Sequence, residues 1–507
     1  MNSFFTTYRE HRLWFFLLGA ILLAALIIRC YFFVGGVRGT DAYLYAEQAQ
    51  AMASGSYQLT QASQYYEFRL VMLLPTALSY YLFGINDYSS ALLPLIFSLL
   101  NIVMIFLLAE KIFDWKTACL ASLLMAIYPL DIMMATTLSP DSLIPLFSTA
   151  AIYCYVCGLD QKNKRQTALL LFLSGVCIVM AASARITSFV LFFPLVFHQL
   201  FLARQQASDK ARVLLITTLG MTLPFLAEML YAYINTGDFL FRIHQLGDTS
   251  DVMRGNYQTY LLTQILYYPR GMFGFTLEGL ASFGLTWWLA VAGLFWAVKK
   301  RLAYRWLLIL WLAIPLACNI YIAAQAPQAY AYRLLSIIAP VAIISSAYLL
   351  STFTVHLQQK KGTVILFMLL LGMAGMNFYG TYRIVQNRAD DDAPYIAVAD
   401  ALKEAPCRDV YASPHRWPTF LDYYLRYNPC VRYRSLDTLS RSEMEALKEG
   451  TIILHNRYIS LGPLFRTASE QPFYASYLNS PPAGWTKIFS YTGEPAYNSV
   501  VVYEIGD

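Results

Sequence analysis

The strongest constraint on this chain is a succession of apolar runs long enough to cross a lipid bilayer. A helix spanning the hydrocarbon core needs about 20 mostly apolar residues. Such runs lie at 13–34, 90–110, 117–136, 142–158, 167–183, 187–203, 212–233, 284–298, 304–324, 334–354 and 363–382, about eleven spans in all. Hydrophobic residues make up 58% of the 507 and charged residues only 13%, where a soluble chain carries roughly 25% charged. With a mean hydropathy of +0.46, this excludes a soluble enzyme, a disordered scaffold and a nucleic-acid binder. The expected class is a polytopic α-helical membrane protein. Its 38 tyrosines suit the headgroup level of a membrane, where amphipathic rings collect.

The net charge of +6 is small for the length, but the basic residues are placed regularly. They cluster at Arg9/Arg12, Lys111/Lys116, Lys162/Lys164/Arg165, Arg204/Lys210/Arg212, Lys299/Lys300/Arg301/Arg305 and Lys360/Lys361. In order, these occupy every second loop, which is the positive-inside pattern. The N-terminus is therefore expected in the cytoplasm and the C-terminus outside the plasma (inner) membrane. The first run is too long for a signal-peptide core, and no small-x-small cleavage site follows it, so it reads as an uncleaved span. Leu70 to Phe83 is apolar enough to be a further span, but counting it would invert every later loop. It is expected to lie at the outer surface or to dip in part-way. Two large outer loops result, 35–89 and 234–283.

Beyond about residue 384 the apolar runs shorten to strand length. Strand-like pieces occur at 408–412, 431–435, 451–455, 486–491 and 499–504, with helix-like stretches at 394–404, 416–427 and 441–449. Alternation of this kind predicts a small α/β domain with some parallel sheet. The expected organisation is a transmembrane domain over 1–383 and an extracytoplasmic domain over 384–507. Six cysteines fall in or beside spans. Cys154 and Cys157 have CxxC spacing but lie inside a span, as small core residues do. Cys407 and Cys430 are the two in the outer domain, where an oxidising compartment would allow a disulfide.

Chemistry is sought at the outer ends of spans. Asp41 follows Gly39-Thr40 and opens a helix-like stretch; Asp141 opens another in Ser139-Pro140-Asp141. Helix capping alone accounts for either. Together they could form an acidic site, one carboxylate taking a proton from an attacking hydroxyl and the other orienting the acceptor or holding a divalent metal ion. Arg185 and Arg333 stand at the outer side and could grip a phosphate bidentately; snorkelling to lipid headgroups is the alternative. His244, Arg254 and Arg270 in the second outer loop are candidates on the same terms. Asp131 and Glu228 lie nearer apolar stretches, where a carboxylate is costly and often functional. There is no P-loop, Rossmann glycine fingerprint, HExxH or nucleophile elbow, and the six histidines are scattered. A sugar donor, if there is one, need not be a nucleotide sugar.

Four stretches together resemble the polyprenyl-phosphate-sugar-dependent glycosyltransferases of the GT-C fold, nearest the bacterial aminoarabinose transferase and protein O-mannosyltransferase group. They are Thr40-Asp-Ala-Tyr-Leu-Tyr-Ala-Glu47 after the first span, Glu67 through Leu82-Phe83-Gly84, Ser139-Pro-Asp-Ser-Leu143, and Tyr332-Arg-Leu-Leu-Ser-Ile-Ile-Ala-Pro340. The likeness covers roughly 35–200 and 325–350. One departure is Ala42, where the family often carries a second acidic residue; Glu47 could compensate. The resemblance implies a single inverting displacement, with Asp41 as base and Asp141 positioning the acceptor or tuning Asp41. Arg333, with Arg185 or Arg270, would neutralise the departing phosphate. Tyr45, Glu47, Glu67 and His244 would shape the acceptor site. The implied partners are a polyprenyl-phosphate sugar, an envelope glycan, lipid or protein acceptor, and the bilayer. A transporter or flippase of a lipid-linked substrate, or a non-catalytic envelope-assembly subunit, is the alternative reading.

Overall fold

The computed structural model describes the chain except residues 1, 61–64, 204–205, 246–260, 326–331, 357–358, 404–408, 413–416, 428–430, 437–438, 457–472, 494–498 and 507. Its packing divides the chain into two compact units, Met1–Gly36 with Ala51–Ile384, and Val37–Gln50 with Val385–Asp507. The first unit is helical. Its helices are α1 (Asn2–Tyr31), α3 (Leu70–Phe83), α4 (Asp87–Ile112), α5 (Trp115–Ala126), α6 (Pro129–Ala135), α7 (Leu143–Asp160), α8 (Lys164–Ala184), α9 (Phe192–Phe197) and α10 (Ala207–Thr236). After these come α11 (Leu261–Met272), α12 (Leu277–Phe283), α13 (Thr286–Lys299), α14 (Arg305–Gln325) and α15 (Ala339–His356). Two helices run through both units: α2 (Thr40–Ser54) and the long α16 (Gln359–Leu402).

Among the described residues, seven helices are long and apolar enough to cross a membrane, or nine if each bent pair counts as one span. The bent pairs are α5–α6, at 61°, and α12–α13, at 60°. The expected spans 187–203 and 334–354 are less regular than their composition implies. The first is assembled from a 3₁₀ turn, the six-residue α9 and a π-turn at His198–Leu202. The second begins as a 3₁₀ turn, Tyr332–Ile337, before α15. Leu70–Phe83 is a 14-residue helix, shorter than a span.

Helices in lipid approach closely where small residues meet. A Cβ on Gly175 of α8 would lie 2.1 Å from the Thr217 carbonyl oxygen, and one on Gly220 of α10 equally close to that of Phe172. Pro129, which has no N–H to donate, opens α6 at the break after α5, and polar groups line that break. Buried Arg29 donates from Nη1 to the carbonyls of Ala25 (3.0 Å) and Ala126 (3.1 Å), the latter ending α5. Its Nη2 pairs with Asp131 Oδ2 on α6 at 2.5 Å, and its Nε donates to Ser98 Oγ at 2.7 Å. A carbonyl freed by the bend is thus satisfied inside the bundle, as buried backbone requires. Ser98 Oγ also donates to Asp131. Ser98→Ala is expected to lower stability by about 1.5–3 kcal/mol, the range for hydrogen bonds to charged groups. Thermal unfolding in detergent reads this; an unchanged midpoint would contradict it.

The second unit carries one sheet: β1 (Asp409–Ala412), β2 (Arg432–Ser435), β3 (Gly450–His455), β4 (Trp485–Tyr491) and β5 (Val500–Ile505). The order is β2-β1-β3-β5-β4. β1 runs parallel to β2 and β3, while β5 runs antiparallel to β3 and β4. Central β3 is buried at every position, as a strand covered on both faces is. One face packs Ile452 and Leu454 with Leu436, Met444, Tyr477 and Trp485. The helices are shorter than the sequence implies: α17 (Trp417–Tyr424) stands where 416–427 was expected, and α18 (Arg441–Glu445) replaces 441–449. The stretch 394–404 is not a separate helix; most of it is the end of α16.

Burial pushes the Asp422 carboxyl on α17 up to about 6, above the unfolded value of about 3.9. The native state therefore holds this proton more tightly than the unfolded chain. The contribution is complete below about pH 4 and is lost as pH rises through about 6. Amide protection over 417–424 in the full-length protein, corrected for intrinsic exchange, should fall across that window. Asp422→Asn should flatten the dependence; a flat wild-type profile would refute it.

Candidate active site

Three candidate side chains meet at one carboxylate in the first unit. Asp141 lies in the 3₁₀ turn Pro140–Ser142 that leads into α7, with Pro140 pre-set for the first helical position. The cap of this turn is Ser139, whose Oγ accepts from the Asp141 amide at 3.3 Å. Capping therefore does not occupy the Asp141 carboxylate. Ser139 Oγ also lies within hydrogen-bond distance of Asp141 Oδ2, at 3.0 Å. Arg185 pairs through Nη2 with Oδ1, and Arg333 Nε lies 3.8 Å from Oδ2. The Asp141 side chain is 1% exposed, that of Arg185 12% and that of Arg333 39%. A buried carboxylate needs such partners. Two guanidinium groups face one carboxylate, and Arg333 is the more open of them.

Both arginines leave the ends of regular elements. Arg185 is the cap residue after α8, with extended backbone at φ −153° and ψ 117°. The last turn of α8 is held by Arg242, whose Nη2 donates to the carbonyls of Ala182 (2.6 Å) and Ser183 (3.1 Å). These are the acceptors a helix end leaves unsatisfied, and a cation there complements the dipole. Arg242 also pairs with Glu228 on α10, which accepts from Ser183 Oγ at 2.5 Å.

Arg333 follows Tyr332, whose hydroxyl lies 3.0 Å from Thr276 Oγ1 and whose ring stacks on Tyr267 at 5.0 Å. The ring fits against Gly271, where a Cβ would come within 2.2 Å of it. Beside it, Leu266, Pro269, Arg270, Phe273, Phe275 and Thr276 line a mostly apolar cleft, with Arg270 exposed.

Asp41 is exposed in the first turn of α2, in the second unit, with Tyr45 buried and Glu47 half-buried on the same helix. Glu67 sits in the 3₁₀ turn Tyr65–Phe68, its backbone carbonyl accepting from the Tyr57 hydroxyl at 2.8 Å. His244 is exposed, with Nδ1 2.9 Å from Asp238 Oδ2. Cys407, Cys430 and Arg254 lie outside the described residues. Among the described residues, no three His, Cys, Asp or Glu side chains gather as a metal-ligand set.

A model of the dolichyl-phosphate-mannose-protein mannosyltransferase family matches residues 70–229. Among solved structures, apo ArnT from Cupriavidus metallidurans superposes with a TM-score of 0.65 at 14% identity, over 98% of this chain and 98% of that one. ArnT from the same organism bound to undecaprenyl phosphate gives 0.66 at 14% identity, over 97% and 98%. The apo oligosaccharyltransferase of Archaeoglobus fulgidus gives 0.59 at 12% identity, over 88% and 70%. The chain has the GT-C glycosyltransferase fold. No curated protein sequence matches it.

Two arginines of this GT-C chain escape a reading of outer loops. Arg29 lies inside the first apolar run and Arg242 in the second outer loop, and each pairs with a carboxylate, Asp131 and Glu228 respectively. The available signal for Arg29 is a charge inside an apolar run, which is costly unless partnered. For Arg242 no local signal exists, because its partners come from α8 and α10.

Proposed function

We propose that this chain is an integral-membrane glycosyltransferase that moves a sugar from a polyprenyl-phosphate donor to an acceptor on the outer face of the plasma membrane, with inversion. The observation that carries the reading is the convergence of Arg185 and Arg333 on the buried Asp141. The likeness to ArnT bound to undecaprenyl phosphate supports the lipid-phosphate donor. On this reading the bundle over 1–383 handles the donor, 384–507 is extracytoplasmic and the N-terminus is cytoplasmic. The acceptor is an envelope glycan, lipid or protein.

The reaction needs one displacement. Asp41 takes the proton of an acceptor hydroxyl as its oxygen attacks the anomeric carbon. The bond from that carbon to the phosphate oxygen breaks, and its electron pair leaves on the phosphate. The donor phosphodiester carries one negative charge, and the released polyprenyl monophosphate carries a second. Arg333 and Arg185 offset that developing charge, which is transition-state stabilisation by fixed groups. Asp141 holds both guanidinium groups in place, and Arg270 offers a further cation beside an apolar cleft suited to a prenyl tail.

The test is a transfer assay in liposomes, offering undecaprenyl phosphate carrying mannose, glucose, galactose or aminoarabinose, with an envelope extract as acceptor. The expected result is labelled extract, released undecaprenyl phosphate and an inverted anomeric configuration by NMR. Donor crossing the bilayer without release of undecaprenyl phosphate would identify a flippase. Neither release nor crossing would favour an assembly subunit.

A further inference from the structure

We propose that Asp392, Tyr43 and Tyr424 are positioning residues that hold Asp41 at a fixed place on the second unit. This deepens the reading above and rests on Asp41 being the base. The segment 37–50 packs with 385–507 as one compact unit, although more than three hundred residues separate them in sequence. Both flanks of Asp41 are tied down there. On one side, the Gly39 amide donates to Asp392 Oδ2 at 3.1 Å. Gly39 stands at φ +76°, in the left-handed region that glycine enters without strain. Asp392, in the 385–402 part of α16, is 4% exposed. Arg38 Nη1 donates to the Tyr424 hydroxyl at 3.2 Å.

On the other side, Tyr43 is fully buried. Its ring lies 3.7 Å from that of Phe420 and edge-on to Tyr423 (5.6 Å) and Tyr424 (5.9 Å), centroid to centroid. Its hydroxyl donates to that of Tyr424 at 2.8 Å. The Tyr424 hydroxyl therefore accepts from residues 38 and 43, on either side of position 41. Asp41 itself is exposed. An exposed carboxylate on a turn anchored at both neighbours is what a general base requires: access to substrate without freedom to wander. Ordering backbone costs conformational entropy, and a clamp of this kind meets that cost before substrate arrives. The 385–507 segment then contributes to catalysis by positioning the base.

The experiment uses the full-length protein in detergent micelles, with three measurements on each variant. These are amide exchange over 37–45, release of undecaprenyl phosphate from undecaprenyl-phosphate mannose or aminoarabinose with the envelope extract as acceptor, and donor KM. Asp392→Ala should speed exchange at Gly39 by tenfold or more. It should lower kcat by about 10- to 100-fold, the penalty for a slightly misplaced group, with donor KM unchanged. Asp392→Asn, which keeps an acceptor oxygen, should recover most of both. Tyr424→Phe, which keeps the ring and guards against a folding defect, should change both in the same direction but less. Faster exchange with wild-type kcat, or unchanged exchange in Asp392→Ala, would overturn the proposal. If Asp41→Asn is inactive while Asp392→Ala is fully active, the positioning role alone falls. If Asp41→Asn itself keeps full activity, the assignment of the base falls and the positioning role with it.

Discussion

Asp41→Asn is expected to lower sugar transfer by about 100- to 10,000-fold, the usual contribution of a positioned general base. Binding of undecaprenyl phosphate, measured by native mass spectrometry, should be unchanged, because an amide keeps the size and polarity of the carboxylate but cannot take the proton. The loss should fall on kcat more than on donor KM, as for an interaction made only in the transition state. Equal transfer by variant and wild type would remove Asp41 as the base and direct attention to other carboxylates of the outer loops.

Replacing either arginine at Asp141 should also be severe. Loss of one fixed charge-stabilising group typically costs about 100- to 1,000-fold in kcat, and that is the expectation for Arg333→Gln. Its side chain is 39% exposed and lies at the long end of the pair, 3.8 Å from Asp141, so its removal should leave stability nearly intact. Arg185→Gln should lose both activity and stability. It deprives a carboxylate that is 1% exposed of its closer partner, and breaking a buried pair leaves an uncompensated charge. Arg185→Lys should restore little, since a point charge does not reproduce the planar fork of guanidinium. Single-turnover transfer alongside thermal unfolding separates the two outcomes. If Arg333→Gln transfers sugar normally, the phosphate role of this site is wrong.

Much of this architecture is legible in the chain, at the level of elements. The five strands of the second unit stand within a residue or so of the expected positions, because each is a short β-prone run between turn residues. Their order is not legible: nothing local to β5 announces that it lies between β3 and β4. Composition alone cannot tell a regular span from the 3₁₀, α and π pieces between Ile186 and Leu202, since apolar side chains suit all three. The same limit applies at the candidate site. Asp141, Arg185 and Arg333 each stand out as a charge at the end of an apolar run. Their common meeting point depends on how α7, α8 and the turn before α15 pack, which no short motif encodes. The anchoring of residues 38–43 is harder still, because Asp392 and Tyr424 carry no motif at all.

The Arg29–Asp131 pair has a consequence for biosynthesis. Its members are 102 residues apart, and at ribosomal rates of about 5–20 residues per second the second arrives roughly 5–20 s after the first. For that interval the opening helix carries a guanidinium near its end with no counter-charge, best accommodated in water or headgroups. The first helix is therefore inserted before it can be finally seated. Its pairing with Asp131 can form only after residue 131 has left the ribosome, so the order of synthesis is written into the order in which this polar contact closes.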